Sequence, residues 1–232
     1  MTTRLAILGG GKMGGLLAAL APEMDCEVVA HLGSARTASG LDRASLGGAD
    51  VAVEFTVPTA AAGLVRGCAA AGVPVVSGTT GWEAERPAVE AFVRESASAL
   101  LWAPNFALGV HLFGKVVAEA ARLFARQGTG FDARLVETHH AKKLDAPSGT
   151  ARHLATLAER AGGRAIPVTS IRTGDVTGTH EFQFDAPYEQ VRLVHEARDR
   201  RVFAAGALSA ARWLVGRRGV FSLDDFLGDP SR

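Results

Sequence analysis

Residues 137–151 read Glu-Thr-His-His-Ala-Lys-Lys-Leu-Asp-Ala-Pro-Ser-Gly-Thr-Ala and place two imidazoles, two ammonium groups and a Ser-Gly-Thr turn in one short segment. A histidine can give or take a proton near neutral pH, which makes His139 and His140 candidates for proton transfer. Lys143 can donate a proton or hold an anionic group. Ser148 ahead of an apolar-periodic run from Ala151 is a helix N-cap signal. The backbone N–H groups of Gly149 and Thr150, with the Ser148 and Thr150 hydroxyls, would then lie at a helix N-terminus, where orphan donors and the helix dipole favour a carboxylate. Each feature alone has an ordinary reading: a surface histidine pair, a solvated lysine pair, a helix cap. Their coincidence in one segment favours a site for an anionic small molecule.

The elements that must position this set follow from the flanking residues. Residues 133–137 read as a strand anchored by Leu135 and Val136, and Pro147 biases Ala146 away from helix. The polar residues are therefore expected on an exposed loop between a strand and a helix. Near the start of the chain, the apolar run 5–8 stops at Gly9-Gly10-Gly11-Lys12-Met13-Gly14 and continues as a helical run. Gly9, Gly11 and Gly14 satisfy G-x-G-x-x-G in the strand–turn–helix setting of a dinucleotide site: the first permits the turn, the second lets backbone approach a pyrophosphate, the third packs helix on strand. Strands are further expected at 26–32, 49–56, 73–77 and 99–102, with helices over 60–71 and 83–96 between them. That alternation predicts a parallel sheet with ligands beyond its carboxyl ends, on the rim that carries both the glycine turn and Gly78-Thr79-Thr80.

The second of these strands ends in Gly33-Ser34-Ala35-Arg36, where an NAD-specific site would carry an acid for the ribose hydroxyls. With no carboxylate to repel a 2′-phosphate, and with Ser34 and Arg36 as donors, NADPH is expected to be tolerated. Arg36 as an ordinary surface arginine is the equal alternative. A long helix is expected over 109–126. Beyond the polar segment, 181–184, 190–195 and 201–203 alternate like strands of a half-exposed sheet, and a last amphipathic helix is expected over 206–216.

The pattern Glu-x-His-His-x-x-Lys-x-Asp-Ala-Pro-Ser-Gly-Thr-Ala resembles the signature of the dihydrodipicolinate (4-hydroxy-tetrahydrodipicolinate) reductase family of the diaminopimelate route to lysine. Carried onto these positions, the resemblance makes His139 a proton donor or acceptor, Lys143 a proton donor, and His140, Gly149 and Thr150 substrate contacts. It makes Gly78, Thr79 and Thr80, and the stretch Ala103-Pro104-Asn105-Phe106, contacts of the nicotinamide end of the cofactor. On the residues alone, Phe106 reads better as a core aromatic. The segments 171–180 and 195–200 are also similar to the family, and His180, His195 and Arg200 read there as structural rather than substrate-facing. The implied architecture is α/β: a Rossmann-like parallel-sheet dinucleotide domain over 1–107 and 204–232, with an inserted α+β substrate and oligomerisation domain over 108–203. Closure about a hinge near Phe106 and Phe203 would assemble the site. The implied activity is NADPH- or NADH-dependent reduction of a small anionic dicarboxylate, by a homotetramer. A different amino- or hydroxy-acid dehydrogenase and a non-catalytic dinucleotide sensor are the rivals.

Bulk composition agrees with a small-molecule partner. A formal net charge of +1 with 21% charged residues gives no electrostatic footprint for nucleic acid or an acidic membrane. No apolar run reaches the roughly 20 residues needed to span a bilayer. Cys26 and Cys68 lie far apart and in no ligand spacing, so neither a disulfide nor a metal is expected. The chain enters its first strand within a few residues, leaving no room for a signal peptide, and a cytoplasmic protein is expected.

Overall fold

The computed structural model describes residues 1–33, 40–126 and 130–228. In chain order the elements are β1 (Thr3–Leu8), α1 (Lys12–Leu20), a 3-10 turn (Ala21–Met24), β2 (Cys26–Leu32), β3 (Val51–Glu54), α2 (Pro58–Ala70), β4 (Val75–Ser77), α3 (Arg86–Glu95) and β5 (Ala99–Trp102). They continue as α4 (Leu108–Arg126), β6 (Asp132–His139), α5 (Gly149–Gly162), β7 (Val168–Arg172), β8 (Thr179–Ala186), β9 (Glu189–Glu196), α6 (Arg201–Leu214), β10 (Gly219–Phe221) and α7 (Leu223–Gly228). Two compact units result, Met1–Phe106 with Phe203–Arg232, and Ala107–Val202. Each junction falls one residue earlier than the sequence-based boundaries at 107 and 204. No helix among the described residues is long and apolar enough to cross a membrane.

The first unit is a six-stranded sheet in the order β10-β5-β4-β3-β1-β2, with every pairing parallel. Its inner strands are apolar without alternation because helices cover both faces: Leu5, Ala6, Ile7 and Leu8 are all buried, as are Val51, Ala52 and Val53. β1 has β2 on one side and β3 on the other, so the chain reverses direction of strand addition there. The crevice beyond the ends of β1 and β3 is the place where such sheets bind ligands.

The second unit is a four-stranded sheet ordered β7-β6-β8-β9, with β6 parallel to β7 and antiparallel to β8, and β8 antiparallel to β9. Because side chains alternate along a strand, residues opposite one another share a face. One row on the buried face, Val168–Leu135–Phe182–Leu193, is apolar and packs with Val117, Ala121, Leu154 and Ala158 of α4 and α5. The next row two residues along is Ser170–Glu137–His180–His195, polar throughout. The sheet therefore changes from oil-like to ionisable within one pleat repeat.

Two expectations need correction. Residues 201–203 are not a strand but the first turn of α6, whose buried Ala204, Ala207, Ala211 and Leu214 recur at helical spacing. Asp199 Oδ1 accepts from the Arg201 N–H at 2.7 Å, so a side-chain cap starts the helix where three alternating residues were too few to define a strand. His139 is not on an exposed loop: β6 runs through it, and it is 8% exposed.

Candidate active site

In the first unit the glycine turn follows β1. Gly9 has φ +129°, and a Cβ there would lie 2.1 Å from the Phe55 carbonyl oxygen. A Cβ on Gly14 would lie 1.9 Å from the Gly9 carbonyl oxygen. These two glycines are demanded by packing. Gly11 is different: it is exposed, a Cβ would meet nothing within 4 Å, and it precedes α1 with no side-chain cap. The open side of the turn is thus the side on which helix N–H groups face outward, as a pyrophosphate requires. Gly10, Lys12 and Met13 lie on this same accessible turn. His31, at the end of β2, places Nε2 3.0 Å from the Gly9 carbonyl oxygen. The residues that were to select the 2′-phosphate, Ser34 and Arg36, lie outside the described residues.

Phe55 joins the turn to the rest of the rim. A Cβ on Gly78 would strike the Phe55 ring at 2.1 Å, and Phe106 meets that ring edge to face at 6.0 Å between centroids. Phe106 is 1% exposed, which is the core role that its residue type suggested. Ala103 is also buried, whereas Pro104 is exposed and Asn105 half-buried. Thr80 is exposed and Thr79 is buried, its carbonyl accepting from the indole N–H groups of Trp82 at 2.8 Å and Trp102 at 2.9 Å. Beneath lies Glu54, fully buried, which no motif singled out. Its carboxyl group accepts from Thr56 N at 2.8 Å, Ser77 Oγ at 2.6 Å and Thr79 Oγ1 at 2.6 Å, and so ties the turn after β3 to the turn after β4.

In the second unit, the segment that opened the sequence analysis is anchored at both ends. Ser148 caps α5, its Oγ accepting from Ala151 N at 3.1 Å. Its own N–H donates to Glu137 Oε1 at 3.1 Å, and its hydroxyl is likewise engaged with Glu137. Ser148 therefore spends its polar groups inside the protein, and Gly149 and Thr150 form the outward part of the helix start. Lys143 is half-buried, with Nζ 2.6 Å from Asp145 Oδ1, an ion pair that holds the Asp145 carboxyl below its ordinary range. His140 is half-buried.

Glu137 is the centre of this arrangement, although its residue type marked it only as a motif position. It is fully buried; Arg172 Nη2 donates to Oε1 at 2.7 Å and, from the same nitrogen, to the Asp145 carbonyl at 2.6 Å. Burial raises the Glu137 pKa, but hydrogen bonds from Ser170, Arg172 and Ser148 overcome this and hold it at about 2. His139 Nδ1 lies 2.6 Å from Glu137 Oε2. Burial lowers the His139 pKa; Glu137 opposes that, and Lys143 and Arg172 add to it. His180 packs edge-on against His139 at 5.3 Å between ring centroids, and burial, with His139 next, pushes it down to about 4. His195 follows at 6.5 Å from His180 and is lowered by burial.

Donor atoms of Glu137, His139 and His180 lie within 4.8 Å of one another, close enough for a metal ion. The guanidinium of Arg172 on the same carboxylate and the nearby Lys143 ammonium put two positive charges beside any such ion, which weighs against a dication there. Chemically the set offers a buried, charge-tuned imidazole, an ammonium, and an anion-binding helix start.

Comparisons with known proteins point the same way. The description "Dihydrodipicolinate reductase, N-terminus" matches residues 3–106, and "Dihydrodipicolinate reductase, C-terminus" matches residues 109–227. A 4-hydroxy-tetrahydrodipicolinate reductase from Thiobacillus denitrificans is 36% identical, covering 98% of this chain and 99% of the relative. One from Xanthomonas euvesicatoria pv. vesicatoria is 41% identical, covering 89% of each chain. Among solved structures, a dihydrodipicolinate reductase from Paenisporosarcina sp. TG-14 with dipicolinate bound has a TM-score of 0.79 at 24% identity, covering 96% of this chain and 98% of that one. An amine dehydrogenase from Mycobacterium smegmatis shares the fold at a TM-score of 0.55 and 12% identity, covering 97% and 96%. Family matches over both units, and relatives of this identity over nearly the whole length, mean that the chain belongs to the dihydrodipicolinate reductase family.

Proposed function

We propose that the protein reduces 4-hydroxy-tetrahydrodipicolinate to tetrahydrodipicolinate, in lysine and diaminopimelate biosynthesis, with a reduced nicotinamide dinucleotide. The observation that carries this reading is local to the second unit. One segment turns a buried histidine, a lysine and a capped helix start into a single polar site, on a chain whose other unit carries an open glycine turn beside β1. The dinucleotide fits that turn because the packing glycines, Gly9 and Gly14, leave Gly11 and the start of α1 uncovered. Gly78 to Thr80 and Ala103 to Asn105 would border its nicotinamide end. When bound, it supplies hydride to the unsaturated ring of the substrate.

This chain's own residues do the remainder. The N–H groups of Gly149 and Thr150, with His140, hold a carboxylate at the head of α5. Lys143 holds the second anionic group or gives a proton. Loss of the 4-hydroxyl with a neighbouring ring hydrogen, as water, gives the unsaturated ring; hydride addition to it leaves an electron pair on the neighbouring ring atom, and a proton from His139 or Lys143 forms the C–H bond there. NADPH is tolerated, with or in place of NADH, since the residues that follow β2 in sequence, Gly33-Ser34-Ala35-Arg36, include no acid to repel a 2′-phosphate. The protein works in the cytoplasm as a homo-oligomer, as the family resemblance implies.

The test is a coupled assay in which fresh substrate is generated in place and nicotinamide absorbance is followed with each cofactor. His139→Ala and Lys143→Ala should each lower turnover on the order of a hundredfold or more, with cofactor affinity nearly unchanged. Normal turnover in both variants overturns the assignment. Consumption of cofactor only with amino or hydroxy acids, in the oxidative direction, would favour the other dehydrogenase reading.

A further inference from the structure

We infer that Glu137 is a positioning residue that sets which nitrogen of His139 carries the transferable proton, a role that rests on the proton-transfer assignment of His139 above. Glu137 Oε1 is already taken by Arg172 Nη2 at 2.7 Å and Ser148 N at 3.1 Å. The Ser148 and Ser170 hydroxyls also engage the carboxylate; Oε2 is enclosed, and His139 Nδ1 lies 2.6 Å from it. Neither Oε2 nor Nδ1 has a hydrogen-bond partner of regular geometry among the described residues, so the two meet as a close contact that a small ring rotation aligns.

An ionised carboxylate accepts and cannot donate, so a proton on Nδ1 is the only arrangement that satisfies both atoms. Nε2 is thereby left as the atom that gains and gives a proton. It also lies where a Cβ on Gly178 would come to 3.0 Å, so the bare glycine keeps that edge of the ring uncrowded. The proton leaves as the Nε2–H bond breaks and a C–H bond forms on the reduced ring. The imidazole returns to the neutral Nδ1–H form against Oε2.

Arg172 makes this arrangement self-consistent. Its Nη2 binds both Glu137 Oε1 and the Asp145 carbonyl, while Asp145 pairs with Lys143. The carboxylate that orients the imidazole is thus braced by the loop that carries the lysine. The logic parallels that of a catalytic triad, in which the buried acid fixes the tautomer and itself transfers no proton.

Glu137→Gln tests it. The amide oxygen can still accept from Arg172 and Ser148, but its NH2 faces Nδ1 and forces that atom to accept, moving the proton to Nε2. Turnover should fall on the order of a hundredfold or more, with KM for the dicarboxylate within about threefold of the parent. The limb of the kcat–pH profile that reports His139 should move to lower pH, because the negative charge that favours its protonated form is gone. Imidazole 15N NMR should show Nδ1–H for neutral His139 in the parent and Nε2–H in the variant. The double variant with His139→Gln should be no slower than His139→Gln alone.

A Glu137→Gln enzyme that turns over within threefold of the parent with an unshifted limb, while His139→Gln is slow, overturns the role of Glu137 and leaves that of His139 standing. Normal turnover in His139→Gln overturns the assignment beneath it. Should Glu137→Gln not fold, the parent spectrum alone decides: neutral His139 found chiefly as Nε2–H overturns the inference.

Discussion

Glu54 and Glu137 are both fully buried acids on strands that run parallel to a neighbour, and the protein surrounds them in opposite ways. Among the described residues Glu54 takes neutral donors: the Thr56 backbone and the hydroxyls of Thr56, Ser77 and Thr79. Glu137 adds to the hydroxyls of Ser148 and Ser170 a guanidinium, a backbone N–H and an imidazole. A shell of hydroxyls fixes the shape of a turn. A shell of charges couples the acid to a group that can change protonation state. On the proposed function, the first suits a rim that holds still for a cofactor, and the second a site that moves a proton.

The largest effect that would break this contrast comes from removing the cation. Arg172→Met should cost about 3–5 kcal/mol, because an ionised carboxylate is left buried without its counter-charge. Urea midpoints should show the deficit at neutral pH and its shrinkage in acid, as Glu137 becomes free to protonate.

A somewhat smaller effect is expected from pH alone. The folded-state pKa of His180 is depressed from 6.5 to about 4, so between those values the unfolded chain binds the extra proton. Stability should therefore be intact above pH 6.5 and decline as pH falls toward 4, by on the order of 3 kcal/mol at the lower end. Glu137, depressed from 4.5 to about 2, extends the loss into stronger acid by the same sign. His180→Phe should flatten the upper part of that slope, and an unchanged slope would show that another group governs it.

The smallest effect sharpens the comparison from the other side. Glu54→Gln should cost only about 1 kcal/mol, because the hydroxyls of Ser77 and Thr79 can rotate to accept from the new amide. Cofactor affinity should stay within a few-fold. A loss as large as that of Arg172→Met would mean that the neutral shell depends on charge after all.

How much of this was legible beforehand depended on range in sequence. The glycine turn, the strand over 26–32 and the Ser148 cap are written in local pattern, and the structure shows each of them. The burial of His139 was not readable, because it depends on β6 continuing two residues past the apparent end of the run. Arg172 reaches Glu137 across 35 residues of chain, through a parallel register that sets Ser170 beside Glu137 and Arg172 beside His139. Nothing in the spacing of single residues announces such a register. Phe55 and Glu54 were hidden for a related reason: each acts by filling space under turns that come from other parts of the chain.

The sheet of the first unit is completed by β10, which lies beside β5 and belongs to the last stretch of the chain. On the ribosome, Ala99–Trp102 emerges long before its partner, and the whole of the second unit must be made in the interval. Until residue 219 appears, the nascent protein carries an open strand edge bearing Leu100 and Leu101, available to any other extended segment. Rapid folding of the inserted unit is then a matter of self-protection, since it takes that unit's own extended segments out of reach of the open edge.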